Sequence, residues 1–248
     1  MRQGAGARHN AKRLYLAEVK NFGNMPGHPE SNLADEATQV ASLLTRWLPD
    51  GTFVRATRIE DYPILPEEDA LIADAVERRR HEFTTGRWLA RSGLRHFGLP
   101  DSPILIGRLR NPLWPDGVLG TLSHDGELCA VALRRTDGEV RGIGIDLIAH
   151  EQRAGRMEEL APIFVTKAAE LGVIATLNPA ADPPLLLFSL KEAVIKALTF
   201  RLDDFIDMRD IEICDGRPFA IRIADGTIDA GLFAAMTNGY LVTAATIR

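Results

Sequence analysis

Three short apolar runs crowd into the middle of the chain, at residues 118–122, 128–133 and 143–148, divided only by glycine-bearing turns. Asp125-Gly126 and Asp137-Gly138 carry the turn chemistry, so the pattern predicts an antiparallel meander. Helical periodicity lies on both sides of it. Upstream, apolar residues recur at Ile72, Val76, Phe83, Ala90, Leu94 and Phe97, one face of a long helical pattern. That pattern opens on Pro66-Glu67-Glu68 and stops at Gly98-Leu99-Pro100, with Thr84-Thr85-Gly86 as a candidate break. A short helix is expected over 40–47 and a strand over 53–59. Downstream, helical segments are expected over 153–160, 165–175 and 185–198, then strands over 211–213, 219–223, 228–233 and 240–247. Helices followed by strands, twice over, define an α+β chain. The expectation is two halves of similar make-up, residues 41–138 and 139–248.

At 248 residues, 46% hydrophobic and 25% charged, the chain can bury a sizeable core. Residues 1–40, rich in Gly, Asn and Pro, read as a flexible extension with at most a short strand near 14–19. No apolar leader or membrane-length run occurs, so a soluble, cytoplasmic protein without a membrane partner is expected. A net charge of −5 gives no global attraction to nucleic acid. Eight arginines nevertheless fall between Arg78 and Arg110, and Arg87, Arg91 and Arg95 form a basic stripe four residues apart. Stacking aromatics are too sparse there for a nucleic-acid surface. Cys129 and Cys214 fit neither a disulfide framework nor a metal spacing and are expected as buried free thiols.

Three segments can carry chemistry. Gly120-Thr121-Leu122-Ser123-His124-Asp125-Gly126 leaves a strand with backbone N–H groups, a hydroxyl and an imidazole together, a combination that suits phosphate. Gly142-Ile143-Gly144-Ile145-Asp146-Leu147-Ile148 sets a carboxylate in an apolar strand, where Asp is depleted. A Mg²⁺ ligand explains that placement, because this ion needs few carboxylates; an acid capping a strand end explains it equally. Phe188-Ser189-Leu190-Lys191-Glu192-Ala193-Val194-Ile195-Lys196-Ala197-Leu198 is a helix with Glu192 and Lys196 one turn apart on one face. By itself this is an ordinary ion pair worth about 0.3–0.5 kcal/mol.

Together, and in this order, the segments resemble a known family. The stretch from Arg79 to Arg87, the stretch from Trp114 to His124, Gly144-Ile145-Asp146 and the stretch from Phe188 to Ala197 look like successive motifs of the 4′-phosphopantetheinyl transferases. The likeness is to the siderophore-synthase branch typified by the enterobactin enzyme and covers roughly residues 43–215. It implies a pseudo-dimer of two α+β halves, each with a small antiparallel sheet packed by helices, and coenzyme A in the cleft between them. It further implies transfer of phosphopantetheine from coenzyme A to a serine of an apo acyl or peptidyl carrier protein, with release of 3′,5′-ADP.

Carried over residue by residue, Arg79 and Arg87 clamp coenzyme A phosphates, and Ser123 and His124 meet the 3′-phosphate and adenine side. Asp146 and Glu192 hold Mg²⁺ (Mn²⁺ being the alternative ion), and Lys196, with Lys191, offsets phosphate charge. Glu192 is the candidate acceptor of the serine proton, so Asp146, Glu192 and Lys196 form the catalytic set. The partner is an acidic carrier domain that an arginine-rich surface attracts. One chain supplies both halves of the cleft, so a monomer is expected.

Three positions depart from the family pattern. Ile148 stands where a second strand acid is usual, Asp125 follows the His where relatives carry Cys or a small polar residue, and Ile106 replaces a coenzyme A-binding lysine that Arg108 could stand in for. Ile148 favours an alternative reading, a catalytically impaired relative that binds coenzyme A or a carrier protein as a regulator. A hydrolase acting on a pyrophosphate is a further alternative.

Overall fold

The computed structural model describes residues 30–136, 138–150, 153, 157–199, 202, 204–224 and 226–248. The expected strand near 14–19 lies outside them. Helix α1 (Glu30–Trp47) comes first, followed by β1 (Phe53–Arg58), α2 (Glu77–His96), β2 (Val118–Asp125), β3 (Leu128–Arg135) and β4 (Gly142–Ala149). Helices α3 (Ala169–Ala175) and α4 (Pro183–Ala197) then lead into β5 (Glu212–Cys214), β6 (Phe219–Ile223), β7 (Gly226–Met236) and β8 (Tyr240–Ile247). One-turn helices occupy Pro66–Asp69 and Met157–Leu160.

The strands form two antiparallel sheets, β1-β3-β2 and β4-β8-β7-β6-β5. In each half the first strand pairs with the last, and a long helix crosses between them: α2 on the first sheet, α4 on the second. The fold is therefore α+β, two halves of like topology in one chain. The expected meander is corrected. β2 and β3 form a hairpin whose two-residue turn uses Gly126 at φ +55°, but β4 leaves β3 and pairs with β8 instead.

Alternation along the strands builds three cores. Cys129, Val131 and Leu133 of β3 face α2, with Leu89, Ala90 and Leu94 packed against them. Gly144, Asp146 and Ile148 of β4 face α4. The opposite faces, Leu128, Ala130 and Ala132 of β3 and Ile143, Ile145 and Leu147 of β4, share one cluster beneath α1. Helix α1 meets it with Leu33, Ala37, Val40 and Leu44, a single helical face, and Leu48 follows just past its end. This helix starts at Glu30, ten residues before the expected start at Val40, because its apolar stripe spans both halves.

Two further expectations shift. Thr84-Thr85-Gly86 does not break α2; the Thr84 and Thr85 hydroxyls instead bond the backbone at Glu60 and Tyr62 from within an intact helix. The break falls earlier, between Ile72 and Glu77. Helix α4 begins at Pro183, two residues before the expected Leu185, and Asp182 caps it by accepting the N–H of Leu185 at 3.0 Å.

Close packing of α4 on β4 depends on Gly144. A Cβ there would overlap the Ala193 carbonyl oxygen and crowd the Ala197 amide, both helix backbone. Gly144→Ala should therefore lower stability by about 1–3 kcal/mol or more, read as a reduced urea midpoint.

Candidate active site

The two sheets meet edge to edge at β2 and β4, yet no backbone ladder joins them. Side chains of β2 take that place. Thr121 Oγ1 accepts the N–H of Ile145 at 3.1 Å, Ser123 Oγ that of Leu147 at 3.2 Å, and Asp125 Oδ2 that of Ala149 at 2.9 Å. Three residues at period two thus satisfy three of the outward N–H groups of β4. The second Asp125 oxygen accepts from Arg153 at 2.8 Å, so this carboxylate is turned into the seam. Burial pushes the Asp125 carboxyl up, and Arg153 and the Ala149 N–H act against that rise.

Helices α2 and α4 flank the seam on the side opposite α1, and polar groups collect between them. Lys196 Nζ donates to Asp146 Oδ1 at 2.7 Å, to the Ile145 carbonyl at 3.0 Å and to Ser123 Oγ at 3.1 Å. It lies 4.0 Å from Glu192 Oε2, and the side chains of Lys196 and Glu192 keep 25% exposure, within reach of a solute. From the N-terminal half, Arg79 contacts His124 Nε2 at 3.2 Å and Glu82 at 3.1 Å, with Glu82 3.6 Å from the imidazole. Burial would raise the Glu82 carboxyl, but His124, Arg79 and Arg78 together hold it below its usual range.

Asp146, Glu192, Lys196, Ser123, His124 and Arg79 are therefore gathered along one seam, and two expected members differ. Lys191 is corrected: its ammonium is fully buried on another face of α4. It donates to the Phe164 and Met208 carbonyls, to Thr166 Oγ1 and to Glu170, at 2.8–3.2 Å. Burial lowers its pKa and Glu170 opposes that fall. No donor is left over for a phosphate. Arg87 is only 5% exposed; its Nε donates to the Ile104 carbonyl at 2.7 Å, and the guanidinium sits 4.1 Å from the Phe83 ring centroid. Burial and the neighbouring Arg79, against the pull of Glu68, hold it down to about 10.

Ser123 is equally committed. Its single proton goes to Asp146 Oδ1 at 2.9 Å, and its oxygen accepts from Leu147 and Lys196. The arginine-rich stretch is also largely paired within its own half: Arg91 with buried Glu68, Arg95 with Asp101, and Arg80 with Asp69. Cys129 is buried, with burial pushing its thiol up to about 12, whereas Cys214 is partly exposed.

The residues missed at the sequence level are Thr121 and Ser189. Ser189 donates to Asp146 Oδ2 at 2.9 Å from the buried face of α4. A hydroxyl inside the run Leu186-Leu187-Phe188-Ser189-Leu190 was the available signal, since a buried polar group must find a partner.

Divalent metal fits the donor set. Two carboxylates, Asp146 and Glu192, already lean on one cationic atom, and Mg²⁺ takes one or two carboxylates with water and phosphate oxygens completing its shell. Among the described residues no cluster of three His, Cys, Asp or Glu is found. Ile148, 3% exposed, is packed into the apolar cluster under α4.

The two halves are also recognised separately by comparison with known proteins. Residues 67–134 match the 4′-phosphopantetheinyl transferase N-terminal domain, and residues 142–245 match the 4′-phosphopantetheinyl transferase superfamily. The 4′-phosphopantetheinyl transferase Svp of Streptomyces mobaraensis is 35% identical over 162 residues, 64% of either chain. The transferase Npt of Nocardia iowensis is 32% identical over 173 residues, 69% of this chain and 72% of that protein. Enterobactin synthase component D of Salmonella typhimurium is 36% identical over 146 residues, 58% of each. The match spans less than two thirds of Svp and of the enterobactin component. What the two-half fold and its seam define is thus a member of a named group: the chain belongs to the 4′-phosphopantetheinyl transferase family.

Two outcomes follow. Lys191→Met should cost about 3–5 kcal/mol by stranding the buried Glu170 charge, measured by urea unfolding. The lowered Glu82 carboxyl contributes stability that is present above its ordinary value of 4.5 and lost as pH falls below it. Glu82→Gln should flatten that acid limb, seen by comparing unfolding midpoints at about pH 5 and about pH 3.

Proposed function

We propose that this protein transfers the 4′-phosphopantetheine group of coenzyme A to a serine hydroxyl of an apo carrier protein, in a Mg²⁺-dependent reaction that releases 3′,5′-ADP. The observation that carries the reading is the convergence of Asp146, Glu192 and Lys196 at the seam, with Lys196 Nζ 2.7 Å from one carboxylate and 4.0 Å from the other. Family membership supports the reaction class.

In this reading the serine oxygen attacks the phosphorus attached to pantetheine, and the bond from that phosphorus to the bridging oxygen of the pyrophosphate breaks. Asp146 and Glu192 would hold Mg²⁺, which when bound would supply charge neutralisation for the transfer. Lys196, partly exposed beside them, offsets the charge that builds on the leaving bisphosphate. Glu192 is the more exposed carboxylate of the pair and accepts the serine proton, which needs hydrogen-bond reach of the incoming hydroxyl. Arg79 and His124 receive the phosphates and adenosine side of coenzyme A, and buried Arg87 adds positive charge to the same half. Positioning and charge carry most of the catalysis in phosphoryl transfer, which suits a site built from fixed ion pairs.

Intact mass spectrometry of apo carrier proteins incubated with the protein, coenzyme A and Mg²⁺ tests this. One phosphopantetheine should be gained, and EDTA and Asp146→Ala should abolish the gain. Glu192→Gln should slow turnover by about 10²–10⁴-fold. A Glu192→Gln protein with near-normal turnover rejects the base assignment. No gain on any carrier, with coenzyme A binding still measurable by calorimetry, rejects the transferase reading in favour of a coenzyme A-binding regulator. Release of free phosphopantetheine without a carrier would instead reveal a hydrolase.

A further inference from the structure

Each oxygen of the Asp146 carboxylate ends on a serine. Ser123 Oγ donates to Oδ1 at 2.9 Å and Ser189 Oγ to Oδ2 at 2.9 Å. One serine comes from β2 in the N-terminal half and the other from α4 in the C-terminal half. Ser189 is fully buried and does not stop at Asp146: Thr243 Oγ1 of β8 lies 2.8 Å from its hydroxyl and also donates to the Ser189 carbonyl at 3.1 Å.

Proton counting fixes the direction of this chain. A serine hydroxyl has one proton, and the charged carboxylate takes it in preference to a neutral hydroxyl. Thr243 also has a single proton, which its hydroxyl shares between the Ser189 carbonyl and the Ser189 hydroxyl, so Thr243 holds Ser189 in place while Ser189 spends its own proton on Asp146. Behind Asp146 the row is closed to solvent, since Ser189 and Thr243 are both fully buried. Ser189 therefore cannot meet substrate, and its one side-chain proton is spent on holding Asp146.

We infer that Ser189 is a positioning residue for the reaction: backed by Thr243, it fixes the Asp146 carboxylate in the orientation that holds the divalent metal. This rests on the reading given under Proposed function, in which Asp146 is a metal ligand. The same geometry couples the metal site to the docking of the two halves, because the opposing grip on Asp146 is Ser123 from across the seam. Hydrogen-bond partners of metal ligands commonly change metal affinity by about 10–100-fold when removed.

Mn²⁺ binding to the full chain, followed by the electron paramagnetic resonance signal of free Mn²⁺, tests the inference with coenzyme A present and no carrier. Ser189→Ala and Ser189→Cys should each bind Mn²⁺ about tenfold or more weakly than the unaltered chain. The cysteine keeps the packing but is a poor donor, so it decides the matter if the alanine protein fails to fold. Thr243→Val should weaken binding in the same direction by a smaller factor. Half-saturating Mg²⁺ in the transfer assay should rise by a matching factor, with the coenzyme A KM unchanged. Unchanged Mn²⁺ affinity in a folded Ser189→Ala or Ser189→Cys protein overturns the inference, even where activity falls. Should the unaltered chain bind Mn²⁺ no better than Asp146→Asn, the metal assignment itself fails and takes this inference with it. Normal Mn²⁺ behaviour throughout with no phosphopantetheine transfer would reject only the reaction proposed above.

Discussion

Strands β2 and β4 are both sheet edges, and they are held together by side chains reaching across to backbone, not by backbone pairing. An exposed edge carries a row of unpaired N–H and C=O groups that invites another strand. Here Thr121, Ser123 and Asp125 cap three of the N–H groups of β4, and Lys196 caps the Ile145 carbonyl between them. Each bond is worth about 1 kcal/mol net, but leaving a buried N–H without a partner costs about 1–3 kcal/mol. The seam therefore specifies register strongly: a one-residue slip of β2 would turn all three polar side chains away from β4. A backbone ladder would have fused the sheets and left no side chain of β2 pointing into the join. The side-chain form places Ser123 against Asp146 and Lys196 as part of the same contact that docks the halves. Tyr240 reinforces it, accepting the Glu127 N–H at 3.1 Å from β8 beside the Gly126 turn.

Rigidity on either side of the seam has a common device. In the N-terminal half, buried Glu68 accepts the N–H groups of Leu65 and Ile104 and pairs with Arg91 of α2, which also bonds the Pro63 carbonyl. In the C-terminal half, buried Glu170 accepts the N–H groups of Thr166, Lys167 and Ile213 and pairs with Lys191 of α4, which also bonds the Phe164 and Met208 carbonyls. Each glutamate thus ties a helix start, a distant backbone segment and the long helix of its own half. A buried ion pair is poor evidence of net stability, but breaking it is expensive. Its effect here is to fix α2 and α4, the helices that present Arg79 and Glu82 on one side and Glu192 and Lys196 on the other.

The architecture was legible in the sequence because period-two and helical patterns are local, as in the strands 219–223 and 240–247 and the helix α4. The family likeness added the grouping of Asp146, Glu192, Lys196 and His124. What did not show was partnership. Lys191 and Lys196 sit five apart in one motif with the same charge, yet one meets Glu170 in the interior and the other meets Asp146 at the seam. Nothing in the residue types separates them; only the packing of α4 between β4 and the 164–170 segment does. The arginine stripe failed similarly, since Glu68 and Asp101 that neutralise Arg91 and Arg95 lie on segments whose folding back is a tertiary event. The meander failed at β4 because apolar runs and turns specify strands but not which edge a strand chooses.

Ile148 is best understood from the row it belongs to. Gly144, Asp146 and Ile148 face α4 in succession, and each matches what the helix brings: backbone at Ala193, a hydroxyl at Ser189, and then the apolar cluster of Leu185, Phe188 and their neighbours. At 3% exposure inside that cluster, a carboxylate at position 148 would be desolvated with no donor among the apolar side chains packed there, a cost of several kcal/mol per unpaired charge. The surrounding residues are thus packed for an isoleucine, not for a ligand waiting to be restored. In the proposed reading Mg²⁺ would tolerate this, because it dehydrates reluctantly and commonly keeps several waters. A site with two carboxylates then depends more heavily on how well each is held. The seam and α4 would supply that to Asp146, which they grip on both oxygens, while Glu192 keeps a quarter of its side chain exposed.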